Sequence, residues 1–184
     1  MAINQIISNF NTVLAARDLA RDNLYRLMSL KTRVLELDET DLLYCRGAQI
    51  PGRENPSAAV TYHGMDFHYP KSSVKYEGGT YTLKFLLDAN SELRQKFEEA
   101  SRLIFNDLSN TGNWRVPGSN DNITIAQLGF DMEPIKYYTL YGVCLTKIEG
   151  YDSDFGGEGQ HQEITVTFTY NYYKTDGSDV VYTE

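Results

Sequence analysis

The most constraining feature of this sequence is a change of hydrophobic period between Gly79 and Leu108. Apolar residues first occupy every second position, which predicts a strand with one buried face: Tyr81, Leu83, Phe85 and Leu87. Beyond Asp88 they recur at steps of four and three, which is the spacing of one helix face: Leu93, Phe97, Ala100, Ile104 and Leu108. We therefore expect a helix from about Ser91 to Leu108, capped by Asn90 or Ser91. This strand and helix must pack on a sheet to bury their apolar faces.

Composition limits the class of protein. The chain has 184 residues, which suits one domain, and a formal net charge of −8 at pH 7. Nucleic-acid binding draws on Lys and Arg facing phosphates, so this balance argues against a DNA- or RNA-binding surface. The sequence has no long apolar run and no signal-peptide pattern, so we expect no membrane anchor and a cytoplasmic site of synthesis. Cys45 and Cys144 are too few for a disulfide scaffold and are expected to be reduced core residues.

The first half of the chain predicts a helical arm followed by strands. Residues 1–20 carry an apolar stripe at helical spacing that includes Ile6 and Phe10, and this arm packs either on its own core or on a neighbouring subunit. Strands are expected at Leu24 to Leu30 and at Asp41 to Arg46, with an acidic solvated loop between them. Pro51-Gly52 marks a turn. Beyond it, Ala58 to Tyr62 and Met65 to Tyr69 form two arms or one bent strand with a bulge at Gly64.

The second half predicts a β-rich region after a polar loop at 109–122. Strands are expected at Ile123 to Phe130 and at Tyr137 to Ile148, the latter apolar on both faces and covered on both sides. A glycine-rich connector at 149–161 leads to the cleanest alternation in the sequence. One face of that strand is apolar (Ile164, Val166, Phe168, Tyr170 and Tyr172), and the other is polar and nearly uncharged (Glu163, Thr165, Thr167, Thr169 and Asn171). Residues 174–184 form a tail in which Val180 to Tyr182 is a short strand.

The sequence contains no constellation that carries catalysis or holds a metal. His63, Asp66 and His68 invite a metal-site hypothesis, but His63 and His68 face opposite ways on a regular strand. Gly156, Gly157 and Gly159 lack the Lys-Ser/Thr of a phosphate loop. No nucleophile elbow, zinc-protease motif or Walker loop is present. We therefore expect no catalytic residues, no cofactor and no enzymatic activity, and the open classes are a self-assembling structural protein and a ligand-binding β module.

The order of these features resembles the tail tube proteins of contractile-tailed bacteriophages. The resemblance runs from about Arg21 to Tyr173 and rests on an ordered set of segments: Arg21-Asp22-Asn23-Leu24-Tyr25, Ile50-Pro51-Gly52, Thr82 to Asp88, Arg94-Gln95-Lys96-Phe97, Tyr138 to Ile148, and Glu163 to Tyr170. Cys144 stands near a position where the family often has proline, and the loops at 109–122 and 149–161 are longer than in compact members. Main tube protein and baseplate-proximal tube initiator both remain open.

The resemblance implies a mainly β fold, a two-sheet antiparallel β-sandwich or barrel with one flanking helix and a short N-terminal helix, in a single domain spanning 1–184. It also implies homohexameric rings whose inner strands join into one barrel. The rings stack into a tube inside a tail sheath, around a tape-measure protein, on a baseplate initiator, and DNA passes through without specific binding. The protein would then lie in the virion tail after assembly in the host cytoplasm.

Two residue sets follow from this expectation. The ring-stacking or interface candidates are Ile6, Phe10, Ile50, Pro51, Gly52, Tyr62, Phe67 and Tyr69. Basic groups in a channel would hold DNA phosphates, so the neutral face of the last long strand is the candidate lumen surface: Thr165, Thr167 and Thr169. The alternatives are the tube of a type VI secretion or phage-like injection device and, in another class, a tyrosine-rich carbohydrate-binding β-sandwich.

Overall fold

A computed structural model describes residues 21–76, 79–151 and 161–176, and it places ten strands and two helices in them. The strands are β1 Tyr25–Lys31, β2 Cys45–Ala48, β3 Ser57–Tyr62, β4 Met65–Pro70, β5 Thr80–Leu86, β6 Asn122–Leu128, β7 Pro134–Tyr141, β8 Cys144–Ile148, β9 Glu163–Thr169 and β10 Tyr172–Thr175. The helices are α1 Glu39–Leu43 and α2 Glu92–Ile104. None of the helices in these ranges is long and apolar enough to span a bilayer.

The strands form two four-stranded antiparallel sheets and a separate hairpin. Sheet A has the order β1-β6-β7-β10, sheet B has the order β2-β5-β9-β8, and among the described strands β3 pairs with β4 alone. The inner faces of the two sheets share one apolar core, which confirms the predicted mainly β, two-sheet sandwich. Leu30, Ile123 and Leu140 are among the buried side chains of sheet A. Sheet B contributes the buried side chains of Tyr81, Leu83, Phe85, Ile164, Val166 and Phe168.

Strand β1 crosses sheet B from one edge to the other. At its start, the Tyr25 hydroxyl donates a hydrogen bond to the Arg46 carbonyl of β2. Just beyond its end, Val34 lines a small cavity together with Cys144 and Leu145 of β8. One end of sheet A therefore lies beside β2, and the other end lies beside β8.

The predicted strand-and-helix unit is present as β5 and α2. Tyr81, Leu83 and Phe85 are buried on one face of β5, as the alternation predicts. Leu93, Phe97 and Ala100 are the buried residues of α2, and the Phe97 ring lies 5.3 Å from the Phe85 ring, centroid to centroid. The helix ends at Ile104, where Phe105 turns extended, so Leu108 is 97% exposed and its predicted place on the buried face is wrong.

The N-terminus of α2 is capped by Asp88. Its carboxylate accepts hydrogen bonds from the backbone N–H groups of Glu92 (3.0 Å) and Leu93 (3.2 Å). The prediction of an Asn90 or Ser91 cap is therefore wrong, since Ser91 adopts a left-handed backbone (φ 56) and makes no side-chain cap bond. The hydrogen bonds from Glu92 and its neighbours hold the pKa of Asp88 below its usual value.

The predicted single strand from Tyr137 to Ile148 is broken into two strands of different sheets. Gly142 lies between β7 and β8 with φ 68, and a Cβ atom there would meet the Asn171 side chain at 2.2 Å. The last long strand predicted from the sequence is also divided in this region. Strand β9 ends at Thr169, and the chain continues in sheet A as β10. Tyr170 is buried at this second corner, whereas Tyr172 is exposed. The alternation of apolar residues continues through both corners, so the sequence pattern does not reveal them.

The acidic segment before β2 is partly helical. The sequence predicts a solvated loop and then a strand from Asp41 to Arg46, but Glu39–Leu43 forms α1 and only the residues from Cys45 onward are extended. The Lys96 ammonium of α2 lies 2.5 Å from Asp41 and 3.4 Å from Asp38. These contacts tie α1 to α2.

Several predictions lie outside the described residues. They are the helical arm within residues 1–20, including Ile6 and Phe10, most of the glycine-rich connector, and the strand at Val180 to Tyr182. The assignment of residues 1–184 to a single domain stays a prediction.

We expect Asp88→Ala to lower the thermal midpoint at pH 7, because two backbone N–H groups lose their acceptor. The folded-state pKa of Asp88 is lowered, so its stabilisation is present above the unfolded-state pKa and is lost as pH falls through the folded-state pKa. The difference from wild type should therefore shrink below about pH 4. Thermal melts of both proteins from pH 7 to pH 3 measure it.

The matched control is Asp88→Asn, which keeps an oxygen acceptor but does not titrate in this range. A wild-type-to-alanine difference that stays constant down to pH 3 would show that the carboxylate charge does not contribute.

Candidate assembly surfaces

The β3–β4 hairpin has one apolar face and one polar face. Its register pairs Ala58 with Tyr69, Val60 with Phe67 and Tyr62 with Met65, and these three pairs share one face of the ribbon. The intervening pairs form the other face: Ser57 with Pro70, Ala59 with His68, and Thr61 with Asp66. Of the two arrangements left open by the sequence, two paired arms is the correct one. The structure thus brings the candidates Tyr62, Phe67 and Tyr69 together on one surface.

The apolar face of the hairpin is not covered by any described part of the chain. The five large side chains along it are between 50% (Tyr69) and 64% (Tyr62) exposed, whereas Ala58 is half-buried. The two strands are joined by a tight turn in which His63 (φ 50) and Gly64 (φ 80) both have positive φ. A two-stranded hairpin in water is marginally stable by itself, and exposed apolar patches of this kind mark contact sites.

The base of the hairpin is anchored to the core through the Ile50-Pro51-Gly52 segment. Pro51 is buried, Gly52 is half-buried and Ile50 is 48% exposed, so only Ile50 of these candidates offers a large apolar surface. The buried Tyr81 hydroxyl donates to the Gln49 carbonyl (2.5 Å) and accepts from the Gln49 N–H (3.2 Å). Burial raises the pKa of Tyr81, so the hydroxyl stays protonated and keeps donating.

Tyrosine rings join this base to both sheets. Tyr76, which follows the hairpin, lies 5.4 Å from Tyr173 of β10 and 6.3 Å from Tyr170, between ring centroids. Tyr81 of β5 lies 6.4 Å from Tyr170 in an edge-to-face arrangement. Such aromatic pairs stabilise beyond their buried area. The high tyrosine content thus partly serves a cluster that holds the hairpin base in place.

The threonine face of β9 lies on the outer side of sheet B. Thr165, Thr167 and Thr169 are half-buried. Their partners on the adjacent strand β5 are Lys84, Thr82 and Thr80, respectively. Lys147 of β8 pairs with Thr167. Along β9 itself the face is therefore uncharged apart from Glu163, but the neighbouring strands add two lysines that the sequence alone does not place there.

Carboxylates pair with two of the cations of sheet B, Lys147 and Arg46. The Lys147 ammonium lies 2.8 Å from Glu149, and Arg46 of β2 forms an ion pair with Glu163. The bond from Lys147 holds the pKa of Glu149 below its usual value. This surface can thus present mixed, paired charge rather than a continuous basic strip.

The predicted metal and cysteine features have simple placements. His63 occupies the hairpin turn, His68 lies on the polar face of β4, and the Thr61 hydroxyl donates to Asp66 (2.5 Å). Among residues 21–76, 79–151 and 161–176, no group of three or more metal-ligating side chains is placed to hold an ion.

Cys45 and Cys144 lie on the two edge strands of sheet B and are free thiols. Three strand spacings separate them, about 14 Å at the usual spacing, which is too far for a disulfide. Burial raises the pKa of Cys45 to about 12, so its thiol is protonated at neutral pH.

Sequence reasoning missed two further apolar surfaces. The first, the tryptophan platform, consists of exposed side chains at and after the end of α2: Leu103, Phe105, Leu108, Trp114 and Val116. The second, the turn patch, lies at the β6–β7 connection: Phe130, Met132 and Ile135. The lone Trp114 in a polar loop was the available signal for the first, and no pattern distinguished the second from an ordinary strand end.

Comparison with known proteins identifies the family. The sequence profile described as phage tail tube protein matches residues 21–176. The chain belongs to the phage tail tube protein family. A comparison with curated proteins found no significant match.

Solved structures share the fold of this tail tube family member at low sequence identity. A chain of the anti-feeding prophage (AFP) baseplate superposes with a TM-score of 0.61 at 13% identity, covering 85% of this chain and 95% of that one. A chain of the PVC sheath-tube complex, from an extracellular contractile injection system, gives 0.55 at 8% identity, covering 89% and 95%. A chain of the AFP tube-terminating cap gives 0.57 at 7% identity, covering 86% and 91%.

We expect Tyr81→Phe to lower the free energy of unfolding of this tail tube family member by about 1–3 kcal/mol. The Gln49 N–H and carbonyl groups would both lose the hydroxyl that now bonds them next to the core. Urea denaturation at pH 7 measures the difference. The matched control is Tyr172→Phe, whose exposed ring stacks on Tyr141 and which should change stability little. Equal effects of the two substitutions would contradict an anchoring role for the Tyr81 hydroxyl.

Proposed function

We propose that six copies of this chain form a ring and that the rings stack into the inner tube of a contractile phage tail. The observation that carries the proposal is the exposed apolar face of the β3–β4 hairpin on a member of the tail tube family. A tube subunit needs contacts to the rings above and below it, and such a face supplies them when a neighbouring copy covers it. The 6-fold symmetrised AFP baseplate, which contains a chain of this fold, supports a ring of six.

The edges of sheet B suit ring closure. Its terminal strands are β2 and β8, and pairing β8 of one copy with β2 of the next would satisfy the backbone groups of both edges. Repeated around the ring, this pairing joins the six sheets into one barrel. The outer face of sheet B, with Thr165, Thr167 and Thr169, then lines the channel. The threonines along β9 and the ion-paired Lys147 and Arg46 leave few cations to hold DNA phosphates, with Lys84 the exception, so a duplex can slide.

The proposed partners follow from this place in the tail. A sheath surrounds the tube, a tape-measure protein occupies it during assembly, and a baseplate initiator starts it. The PVC sheath-tube complex and the AFP baseplate and cap each contain a chain with this fold, which supports the places next to a sheath and a baseplate. The protein acts without catalysis or cofactor, lies in the virion tail, and assembles in the host cytoplasm.

A second candidate is the tube of an extracellular injection device that carries no genome. The similar solved structures come from such systems, the AFP and PVC particles. The family profile names phage tail tubes and so favours the phage. Electron microscopy of particles purified from the producing cells separates the two, because a phage tube is attached to a DNA-filled capsid. Family membership also favours a tube over the carbohydrate-binding alternative.

We expect Phe67→Ser to leave rings intact and to shorten or abolish tubes, because it removes a large side chain from the centre of the apolar hairpin face. His68→Ser is the matched control, since His68 is the next residue and lies on the polar face. Negative-stain electron microscopy with light scattering distinguishes rings from tubes.

Deleting Arg53 to Ser57, which removes the Glu54–Lys75 bridge at the hairpin base, should have the same effect as Phe67→Ser. Full-length tubes from both variants would overturn the stacking role of the hairpin. Loss of rings as well as tubes would place the hairpin in the ring contact instead.

We expect replacement of Thr165, Thr167 and Thr169 by arginine to hinder genome ejection more than tube assembly, because each added cation can hold a phosphate. The triple glutamate variant is the matched control, and it should eject normally since it repels the duplex. Complementation of a tube-deficient phage, with DNA release measured by dye fluorescence, tests both. Normal ejection from the arginine virions would exclude this face as the channel wall.

A further inference from the structure

The tryptophan platform is a fixed surface rather than a loose loop. Its Phe105 and Trp114 rings stack with centroids 6.4 Å apart. The backbone beneath is held by hydrogen bonds from Asn113 N–H to the Ile104 carbonyl (3.1 Å) and from Asn106 N–H to the Thr111 carbonyl (2.8 Å). Trp114 is nevertheless 68% exposed. An apolar surface that is held in place and left open marks a contact with another molecule.

The turn patch is also held in a defined shape. Gly129 N–H donates to the Glu133 carbonyl (2.8 Å), and the Asp131 carboxylate accepts from the Glu133 N–H (3.1 Å). Met132 adopts φ 63, a left-handed conformation that is uncommon for a residue other than glycine, asparagine or aspartate. The turn therefore keeps the exposed Phe130 and Met132 side chains outside the core at a conformational cost.

The two surfaces lie at opposite ends of β6. Arg115 and Pro117, next to the platform, line one small cavity with Asp121, which immediately precedes β6. The turn patch begins two residues after β6 ends at Leu128. A strand of this length separates them by about 20 Å. Two different patches on opposite sides of one chain can meet only head to tail between copies, which is the type of contact that closes into rings.

Their charges are complementary. Arg102 and Arg115 are exposed beside the platform, and Arg33 lines the cavity next to it. Asp107 also lies there, and the Asp121 carboxylate is occupied by the backbone N–H groups of Arg33 (2.5 Å) and Gly118 (2.6 Å). The turn exposes Asp131 and Glu133, and the Arg21 guanidinium lies over the Phe130 ring (4.9 Å). Cations thus predominate around the platform and carboxylates at the tip of the turn.

The two surfaces also flank the two edges of sheet B. The platform side of the molecule carries β8, because the cavity beside Arg115 is lined by Val143, Cys144 and Leu145. The turn side carries β2, because β1 begins there and its Tyr25 hydroxyl reaches the Arg46 carbonyl. The apolar surfaces therefore stand beside the strands that the proposed ring would join.

From this placement we propose that the tryptophan platform of one copy receives the β6–β7 turn of the next copy in the ring. The occupant is a second copy of this chain, with Phe130, Met132 and Ile135 on the platform and Glu133 near Arg115. The inference rests on the proposed ring but names an outer contact in addition to the strand edges.

The lone tryptophan of the chain makes the contact directly observable. Trp114 emission should shift to shorter wavelength when monomers form rings, as the indole leaves water, and should not shift again when rings stack into tubes. Size-exclusion chromatography with light scattering on the same samples assigns each spectrum to monomer, ring or tube. Rings in which the emission stays that of the monomer would overturn the inference and leave the proposed function standing. A wild-type protein that forms neither rings nor tubes under any condition would overturn the proposed function itself.

Charge exchange tests the pairing. Glu133→Arg and Arg115→Glu should each weaken ring formation about tenfold or more, because each places like charges together. A chain that carries both substitutions should form rings again, since each contact between copies then joins one positive and one negative side chain. Glu39→Arg on α1 is the control for the change in net charge, and circular dichroism checks that all variants fold.

The remaining outcomes assign the platform elsewhere. If the double variant is as defective as the single ones, Glu133 and Arg115 do not face each other and the inference is wrong. If Trp114→Ser leaves rings intact but abolishes tubes, the platform receives the hairpin of a stacked copy. If deletion of residues 1–20 abolishes rings while both charge variants assemble normally, the terminal arm is the occupant.

Discussion

The pairing of β5 with β9 is the contact on which the rest of the structure depends. Their register runs unbroken from Thr80 opposite Thr169 to Leu86 opposite Glu163, at the centre of sheet B. The inward residues of both strands are buried, and Phe97 of α2 packs against Phe85. Burial of such side chains contributes about 1.5–3 kcal/mol each, so this pair and its helix hold much of the core. The residues that face outward along the same strands are free to serve another surface.

The surfaces available for assembly are those that the core leaves without partners. The hairpin follows β2 and precedes β5 in the chain. Its base is held by Tyr81 and the tyrosine cluster, and its apolar face is exposed. Sheet B ends in β2 and β8, and the apolar platform and turn stand at opposite ends of β6. A monomer with this many open apolar surfaces is poorly suited to remain alone in water, whereas a repeating assembly covers them.

Electrostatics fits the same arrangement. The acidic net charge comes with a threonine-rich face on which Lys147 meets Glu149 and Arg46 meets Glu163. Paired charges of this kind add little to the stability of an exposed surface. Their consequence is that, within the described residues, no uninterrupted row of cations follows β9; in the proposed channel wall such a row would hold a polyanion.

The sequence by itself determined the local elements and the family. Period-two alternation located β5 and β9, the helical period located α2, and the ordered motifs pointed to tail tube proteins, which the family match over residues 21–176 confirms. Only the tertiary structure decided where those elements stop and what they face. Gly142 sends the chain to the other sheet, α2 ends before Leu108, Asp88 takes the cap, and the hairpin pairs alternate between an apolar and a polar face. Periodicity reports the conformation of a short segment, whereas corners, caps and exposed faces depend on contacts between residues far apart in the chain.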